Sequence, residues 1–213
     1  MKPHKTPLIE NGIVVGTGSD KYETKNPLAR YLLRNFERAV GDLAASVAPG
    51  TILEVGCGEG HITECLLSRT RATIHATDIS RTIVDIARSR LDSSRLSFET
   101  LNIYDLNPQI HVAELVVCCE VLEHLDDPTR GLAKLAMAAR PYALMSVPQE
   151  PLWRILNFLR GAHVRTFGNS PGHLQHWSQK AFLQFIGTEF ELLALRAPLP
   201  WTIVLGRSKR HPG

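Results

Sequence analysis

Polar and apolar positions along this chain begin without order and then settle into a repeating scheme. Residues 1–20 show little periodicity and carry Gly12, Gly16 and Gly18, which predicts an irregular arm. Asn26-Pro27 then opens a helix with Leu28, Tyr31, Leu32, Phe36 and Val40 on one face. Pro49-Gly50 breaks the chain. Beyond it, short apolar runs alternate with amphipathic ones. Thr51–Val55, Thr73–Thr77, Leu96–Leu101, Glu114–Cys119 and Ala143–Val147 read as strands. Gly60–Ser68, Arg81–Leu91, Pro128–Ala139 and Ser178–Ile186 read as helices. Such alternation argues for an α/β fold with a mostly parallel sheet. The last two apolar runs, Glu191–Leu195 and Thr202–Leu205, are joined by Ala197-Pro-Leu-Pro-Trp201, too short for a helix. They should form a hairpin that adds an antiparallel C-terminal strand to the sheet.

One segment interrupts the scheme. In Gln149–Ser178, Leu152, Trp153, Ile155, Leu156 and Leu159 suggest a short amphipathic helix, followed by a loop from Gly161 to Gly172. A long insertion at the carboxyl edge of a sheet is where a lid over an acceptor would lie. Arg154 and Arg160 beside Trp153 also allow a membrane-surface helix, but the stretch is short and its apolar face can pack on the sheet.

Composition narrows the class. A chain of 213 residues with 44% hydrophobic and 21% charged residues suits one globular domain. No apolar stretch approaches the roughly 20 residues of a membrane span, and Met-Lys-Pro-His-Lys-Thr-Pro lacks the apolar core of a signal peptide. Cys57, Cys65, Cys118 and Cys119 form no zinc-type C-x-x-C pair, so reduced thiols in a cytoplasmic protein are expected. Charge is uneven. Residues 1–50 carry seven Lys/Arg and five Asp/Glu (+2), residues 51–150 nine and fourteen (−5), and residues 151–213 eight and two (+6). The basic end, with Arg154, Arg160 and Arg165 close together, suggests an anionic partner; the tail Arg207-Ser-Lys-Arg-His211 is better read as solvated.

The most informative chemistry is Glu54-Val-Gly-Cys-Gly-Glu-Gly60, placed between a strand and a helix. Glycines there let backbone approach a ligand closely. Asp78 follows Gly60 by eighteen residues, at the end of the next apolar run, where a carboxylate can accept bonds from both ribose hydroxyls. The pair reads as a site for a nucleoside-containing cofactor. The dinucleotide fingerprint G-x-G-x-x-G would need glycine at His61, and Glu54 and Glu59 would repel a pyrophosphate. A sulfonium- and ammonium-bearing cofactor is compatible with both.

These residues resemble the class I S-adenosylmethionine-dependent methyltransferase family, of the type 11/12 kind, whose first motif is (D/E)-x-G-x-G-x-G after strand one. The terminal hairpin is shared, so the resemblance covers most of residues 50–208. It implies a Rossmann-like, doubly wound, seven-stranded sheet in a single domain over 1–213. That domain divides into an N-terminal arm and helix (1–49), a cofactor-binding core (50–148), an acceptor-side insertion (149–177) and a C-terminal helix and hairpin (178–208). It implies S-adenosylmethionine contacts at Glu54, Gly56, Cys57, Gly58, Asp78, Ile79, Asn102, Ile103, Cys119 and Glu120. Asn102 stands where the family often has an acidic residue for the adenine amine; its carbonyl can accept the same bond.

Glu120-Val-Leu-Glu123-His124 is the second cluster. If this turn is helical, spacings of three and four put Glu120, Glu123 and His124 on one face. With His173, four residues before Trp177, they resemble the metal cluster of small-RNA 3′-terminal 2′-O-methyltransferases. That likeness makes Mg²⁺, Mn²⁺ or Fe²⁺ a candidate divalent metal. The E-x-x-E-H alone is comparable to that of ubiquinone-pathway O-methyltransferases, and a purely supporting role for these residues is the simpler expectation. His124, His173 and His176 are the candidate proton acceptors, with Glu120 beside them. His61 and His75 read as packed residues.

The expected function is transfer of a methyl group from S-adenosylmethionine to an oxygen or nitrogen of a small, anionic acceptor. A metal-dependent RNA 2′-O-methyltransferase and a non-catalytic cofactor-binding protein are the alternatives.

Overall fold

The computed structural model describes residues 8–10, 13–15, 24, 26–150 and 174–211. The amphipathic helix and loop expected within 149–178, and Arg154, Arg160, Arg165 and His173, lie outside them. Within the N-terminal arm, β1 (Leu8–Glu10) and β2 (Ile13–Val15) pair antiparallel, so part of a segment expected to be irregular is a small hairpin.

The first helix, α1 (Pro27–Ser46), starts where Asn26 Oδ1 accepts the Leu28 N–H at 2.9 Å and Pro27 occupies the first turn. Its buried face is Leu33, Phe36, Val40, Leu43 and Ala44, while Leu28 and Tyr31 are exposed. The expected face is thus correct for Phe36 and Val40 and rotated away at the first turn. Alternating elements follow: β3 (Thr51–Val55), α2 (His61–Arg69), β4 (Thr73–Asp78), α3 (Arg81–Arg90), β5 (Leu96–Thr100), β6 (Ala113–Cys119), α4 (Pro128–Ala138) and β7 (Ala139–Pro148). The chain finishes with α5 (Gln179–Ile186), β8 (Phe190–Arg196) and β9 (Trp201–Ser208).

The seven-stranded sheet runs β5-β4-β3-β6-β7-β9-β8. The first five strands in this order are parallel, and β9 pairs antiparallel with both β7 and β8. Side chains alternate across the strands, so both faces are apolar. Ile52, Ile74, Leu115, Val117 and Leu144 meet α1 and α2 on one face. Leu53, Val55, Val116, Cys118 and Met145 meet α4 and α5 on the other. Each such buried side chain contributes roughly 1.5–3 kcal/mol of apolar burial.

The order of strands matters for function. It reverses at β3, where β4 and β5 lie to one side and β6 and β7 to the other. In an open α/β sheet the crevice at that reversal, beyond the strands' carboxyl ends, is where ligands bind. The turn after β3 is the glycine-rich one. No helix among the described residues is long and apolar enough to cross a membrane, and all four cysteines are free thiols.

Candidate functional site

The turn after β3 is built by three left-handed glycines. Gly56, Gly58 and Gly60 have φ of 78°, 55° and 84°. Gly56 and Cys57 donate their N–H groups to the Thr77 carbonyl at 2.8 and 2.9 Å, tying the turn to the end of β4. A Cβ on Gly56 would stand 2.2 Å from Val121 Cγ2, whereas one on Gly58 would meet nothing within 4 Å. The backbone at Gly58 is therefore open to a ligand, while Gly56 is locked against the loop after β6. Beside the opening, Asp78 Oδ2 accepts the Gly58 N–H and Oδ1 accepts the Ser80 N–H, both at 3.0 Å. These bonds hold the carboxylate at the sheet edge next to the turn. Ile79 follows it and is exposed, an apolar surface available to a flat ring.

Glu54 lies beneath the turn. It is 2% exposed, and its Oε2 accepts the Thr63 hydroxyl at 2.6 Å. Burial pushes its pKa up to about 8; the Thr63 bond opposes the rise and the Asp78 charge adds to it. Cys57 is also buried, and its thiol is pushed up chiefly by burial. After β5, Asn102 Oδ1 accepts the Tyr104 N–H at 3.0 Å and caps a short 3₁₀ turn, Ile103–Asp105. That bond aims the Asn102 carbonyl at its own turn. The Ile103 side chain sits in the core.

The edge of β6 departs from the helical-face expectation. Glu120 has φ 60°, outside any helix, and only Leu122–His124 form a 3₁₀ turn. Glu123 is buried at 2% and His124 is exposed, so they do not share a face. Glu120 Oε1 accepts the Ser146 hydroxyl at 3.0 Å and Oε2 the Trp201 indole N–H at 2.8 Å. The Glu123 carbonyl accepts the N–H groups of Leu174 and Gln175 at 2.8 and 3.0 Å. His176 comes next, with Nδ1 3.6 Å from Glu150 Oε1. His61 opens α2, 3.7 Å from Glu59.

Residues 53–145, from β3 into β7, match the family described as a methyltransferase domain. Over that span the chain is similar to class I S-adenosylmethionine-dependent methyltransferases. It is 30% identical over 156 residues to the ubiquinone biosynthesis O-methyltransferase of Xanthomonas oryzae pv. oryzae, an alignment covering 65% of this chain and 64% of the relative. The chain spans less than two thirds of the length of the curated relatives it matches. Its fold is that of the magnesium protoporphyrin IX methyltransferase of Synechocystis PCC 6803, at a TM-score of 0.66 and 17% identity, covering 89% of this chain and 94% of that one. The N-methyltransferase NodS of Bradyrhizobium japonicum gives a TM-score of 0.67 at 16% identity, covering 88% and 91%. Both structures were solved with S-adenosylhomocysteine bound.

The turn and its neighbours would suit the methyl donor of such a domain. The open backbone at Gly58, the Asp78 carboxylate and exposed Ile79 are arranged along one edge. Of the metal set suggested by resemblance, His173 lies outside the described residues. Glu120, Glu123 and His124 do not converge among the described residues, and both Glu120 oxygens already accept neutral donors.

The described residues do bring together His75, Glu99 and His111, with all three ligand atoms within 4.8 Å. Spacing gave no hint of this trio, because β4, β5 and the loop before β6 meet only in the fold. His75 Nε2 lies 2.8 Å and His111 Nε2 3.4 Å from Glu99 Oε2. However, His111 Nδ1 accepts the Asn107 backbone N–H at 3.0 Å. A neutral imidazole has one N–H, so the proton sits on Nε2, which faces Glu99 Oε2 at 3.4 Å. Metal-bound histidines instead donate from their other nitrogen. The trio is a polar cluster held by the His75–Glu99 hydrogen bond and the His111–Glu99 contact.

Proposed function

We propose that this protein transfers the methyl group of S-adenosylmethionine to an oxygen or nitrogen of a small, anionic acceptor in the cytoplasm. The observation that carries the reading is the glycine turn at the strand-order reversal, open at Gly58 and flanked by Asp78. When bound, the cofactor supplies a methyl group on a sulfonium, already activated for in-line attack.

The protein's part is alignment and proton removal. Asp78 would hold the ribose hydroxyls, Ile79 and the backbone of Ile103 the purine, and Gly56, Cys57 and Gly58 the amino-acid end, with Glu54 acting on the ammonium from below. Asn102 would contact the adenine through its amide, its carbonyl being held by Tyr104. Cys119 and Glu120 would border the methyl group. His124, His173 and His176 are the candidate bases; His173 lies outside the described residues. The net +6 of residues 151–213 supports an anionic acceptor. The likeness to a ubiquinone biosynthesis O-methyltransferase and to N-methyltransferase NodS supports oxygen and nitrogen as acceptor atoms.

The test is calorimetry with S-adenosylhomocysteine. Asp78→Ala should weaken binding tenfold or more, on the order of 1–3 kcal/mol for lost charge-assisted bonds. Unchanged affinity would remove the cofactor assignment. Transfer of a radiolabelled methyl group across a panel of phenols, amines and sugar acids would then identify the acceptor.

A further inference from the structure

Beyond the carboxyl end of β7 sits an acid that the donor site does not use. Glu150 lies two residues past Pro148, on the same edge as the ends of β3, β4 and β6. Its N–H donates to the Trp177 carbonyl at 3.0 Å, and the Gln149 N–H donates to the Pro200 carbonyl at 2.8 Å. The backbone is thus fixed from two sides. The Glu150 side chain is 9% exposed, and both carboxylate oxygens are buried with no hydrogen-bond partner. A buried carboxylate in that condition is costly unless a positive or proton-donating group answers it. His176 is that group, with Nδ1 3.6 Å from Oε1. Its side chain is 36% exposed, so one edge of the ring meets the acid while the ring stays accessible. Catalytic hydrogen bonds are commonly this long before the site fills, and tighten afterwards.

We propose that His176 is the base that takes the acceptor's proton through Nε2, and that Glu150 is the positioning residue that keeps the proton of the neutral ring on Nδ1. It follows that the acceptor arrives with a proton to lose, as a hydroxyl or an ammonium nitrogen and not as a carboxylate. This rests on the methyltransferase reading above. In the step, the acceptor's O–H or N–H bond breaks toward Nε2 and the freed pair forms the bond to the methyl carbon. The bond from that carbon to the sulfonium sulfur breaks, and sulfur keeps its electrons. Glu150 stays ionised, and its charge stabilises the imidazolium that forms.

Two measurements on the full chain test the pair. Nitrogen-15 NMR of histidine-labelled protein at pH 8, with S-adenosylhomocysteine, should show His176 as the Nδ1–H tautomer, and Glu150→Gln should shift it toward Nε2–H. An Nε2–H tautomer in the wild type overturns the proposal. For turnover the probe is 3,4-dihydroxybenzoate, which offers both ring hydroxyls and a carboxylate. The product should be a methyl ether. His176→Gln should lower kcat about 100-fold or more, and Glu150→Gln should lower it as well, with KM for S-adenosylmethionine within twofold in both. The double variant should be no slower than His176→Gln, because residues acting as a unit are not additive. A methyl ester product, or losses that multiply in the double variant, overturns the pair. Calorimetry with S-adenosylhomocysteine separates this outcome from failure of the donor reading, since all three variants should bind as the wild type does.

Discussion

Glu54 should make ligand-free stability depend on pH in an unusual direction. Its carboxyl is buried beneath the glycine turn, and its pKa rises from its usual 4.5 to about 8, mainly through burial. A raised acid binds its proton more tightly in the folded state than in the unfolded one. Folding is therefore disfavoured as pH climbs from about 4.5, and the loss levels off above about 8. The rise of about 3.5 pH units, at 1.36 kcal/mol each, sets an upper scale of about 5 kcal/mol, most of it already felt at pH 7. Glu54→Gln keeps the shape and cannot ionise. Urea unfolding of both proteins at pH 5, 7 and 8.5 isolates the effect, because every other group titrates in both. The variant should gain on the wild type by several kcal/mol between pH 5 and 8.5. The same proton should appear in binding. If the ligand's ammonium favours the Glu54 anion, S-adenosylhomocysteine should displace up to about 0.9 of a proton at pH 7. Calorimetry in buffers of different ionisation enthalpy reads that release directly, and Glu54→Gln should abolish it. Parallel stability curves together with equal proton release would refute the reasoning.

Gly56→Ala should cost about 2 kcal/mol or more, since its Cβ would press on Val121 Cγ2 and φ is 78°; thermal melting would show it, and an unshifted Tm would contradict it. Trp201→Phe keeps an aromatic ring against Phe36 but removes the donor to Glu120, at a cost of about 1–3 kcal/mol in urea unfolding. Zn²⁺ should not raise the Tm through His75, Glu99 and His111, because the His111 tautomer places its proton on the would-be ligand nitrogen; a rise lost in His111→Gln would show otherwise. Dialysis against EDTA should leave S-adenosylhomocysteine affinity within twofold by calorimetry; a larger drop would return Glu120, Glu123 and His124 to metal duty.

The seven strands and the donor turn were legible in the chain because each rests on a local rule. Apolar runs mark strands, Gly56, Gly58 and Gly60 must sit at positive φ, and Asp78 follows at the end of β4. Even the hairpin needed only the short Ala197–Pro200 link. The misreadings came where tertiary contacts decide. Leu28 and Tyr31 continue a helical pattern but are exposed, outside the buried face of α1. Glu120 and Glu123 share a helical spacing, but the backbone turns left-handed at Glu120 so that Ser146 and Trp201 can reach its carboxylate. No spacing rule links residues 81 apart. Glu150 carried no signal at all, because its meaning lies in a neighbour brought near by α5.

The placement of β9 has a consequence for biogenesis. A ribosome that has reached Pro200 has already made every glycine and carboxylate of the donor turn, yet the strand that seals β7 and gives Glu120 its indole partner comes next. Synthesis at roughly 5–20 residues per second leaves β7 with a bare, apolar edge for some time after it emerges. An exposed edge of that kind is a template for the wrong partner. Nascent chains stalled before Trp201 should therefore be the forms that chaperones hold and proteases clear, and competence should appear only once Ser208 has left the tunnel.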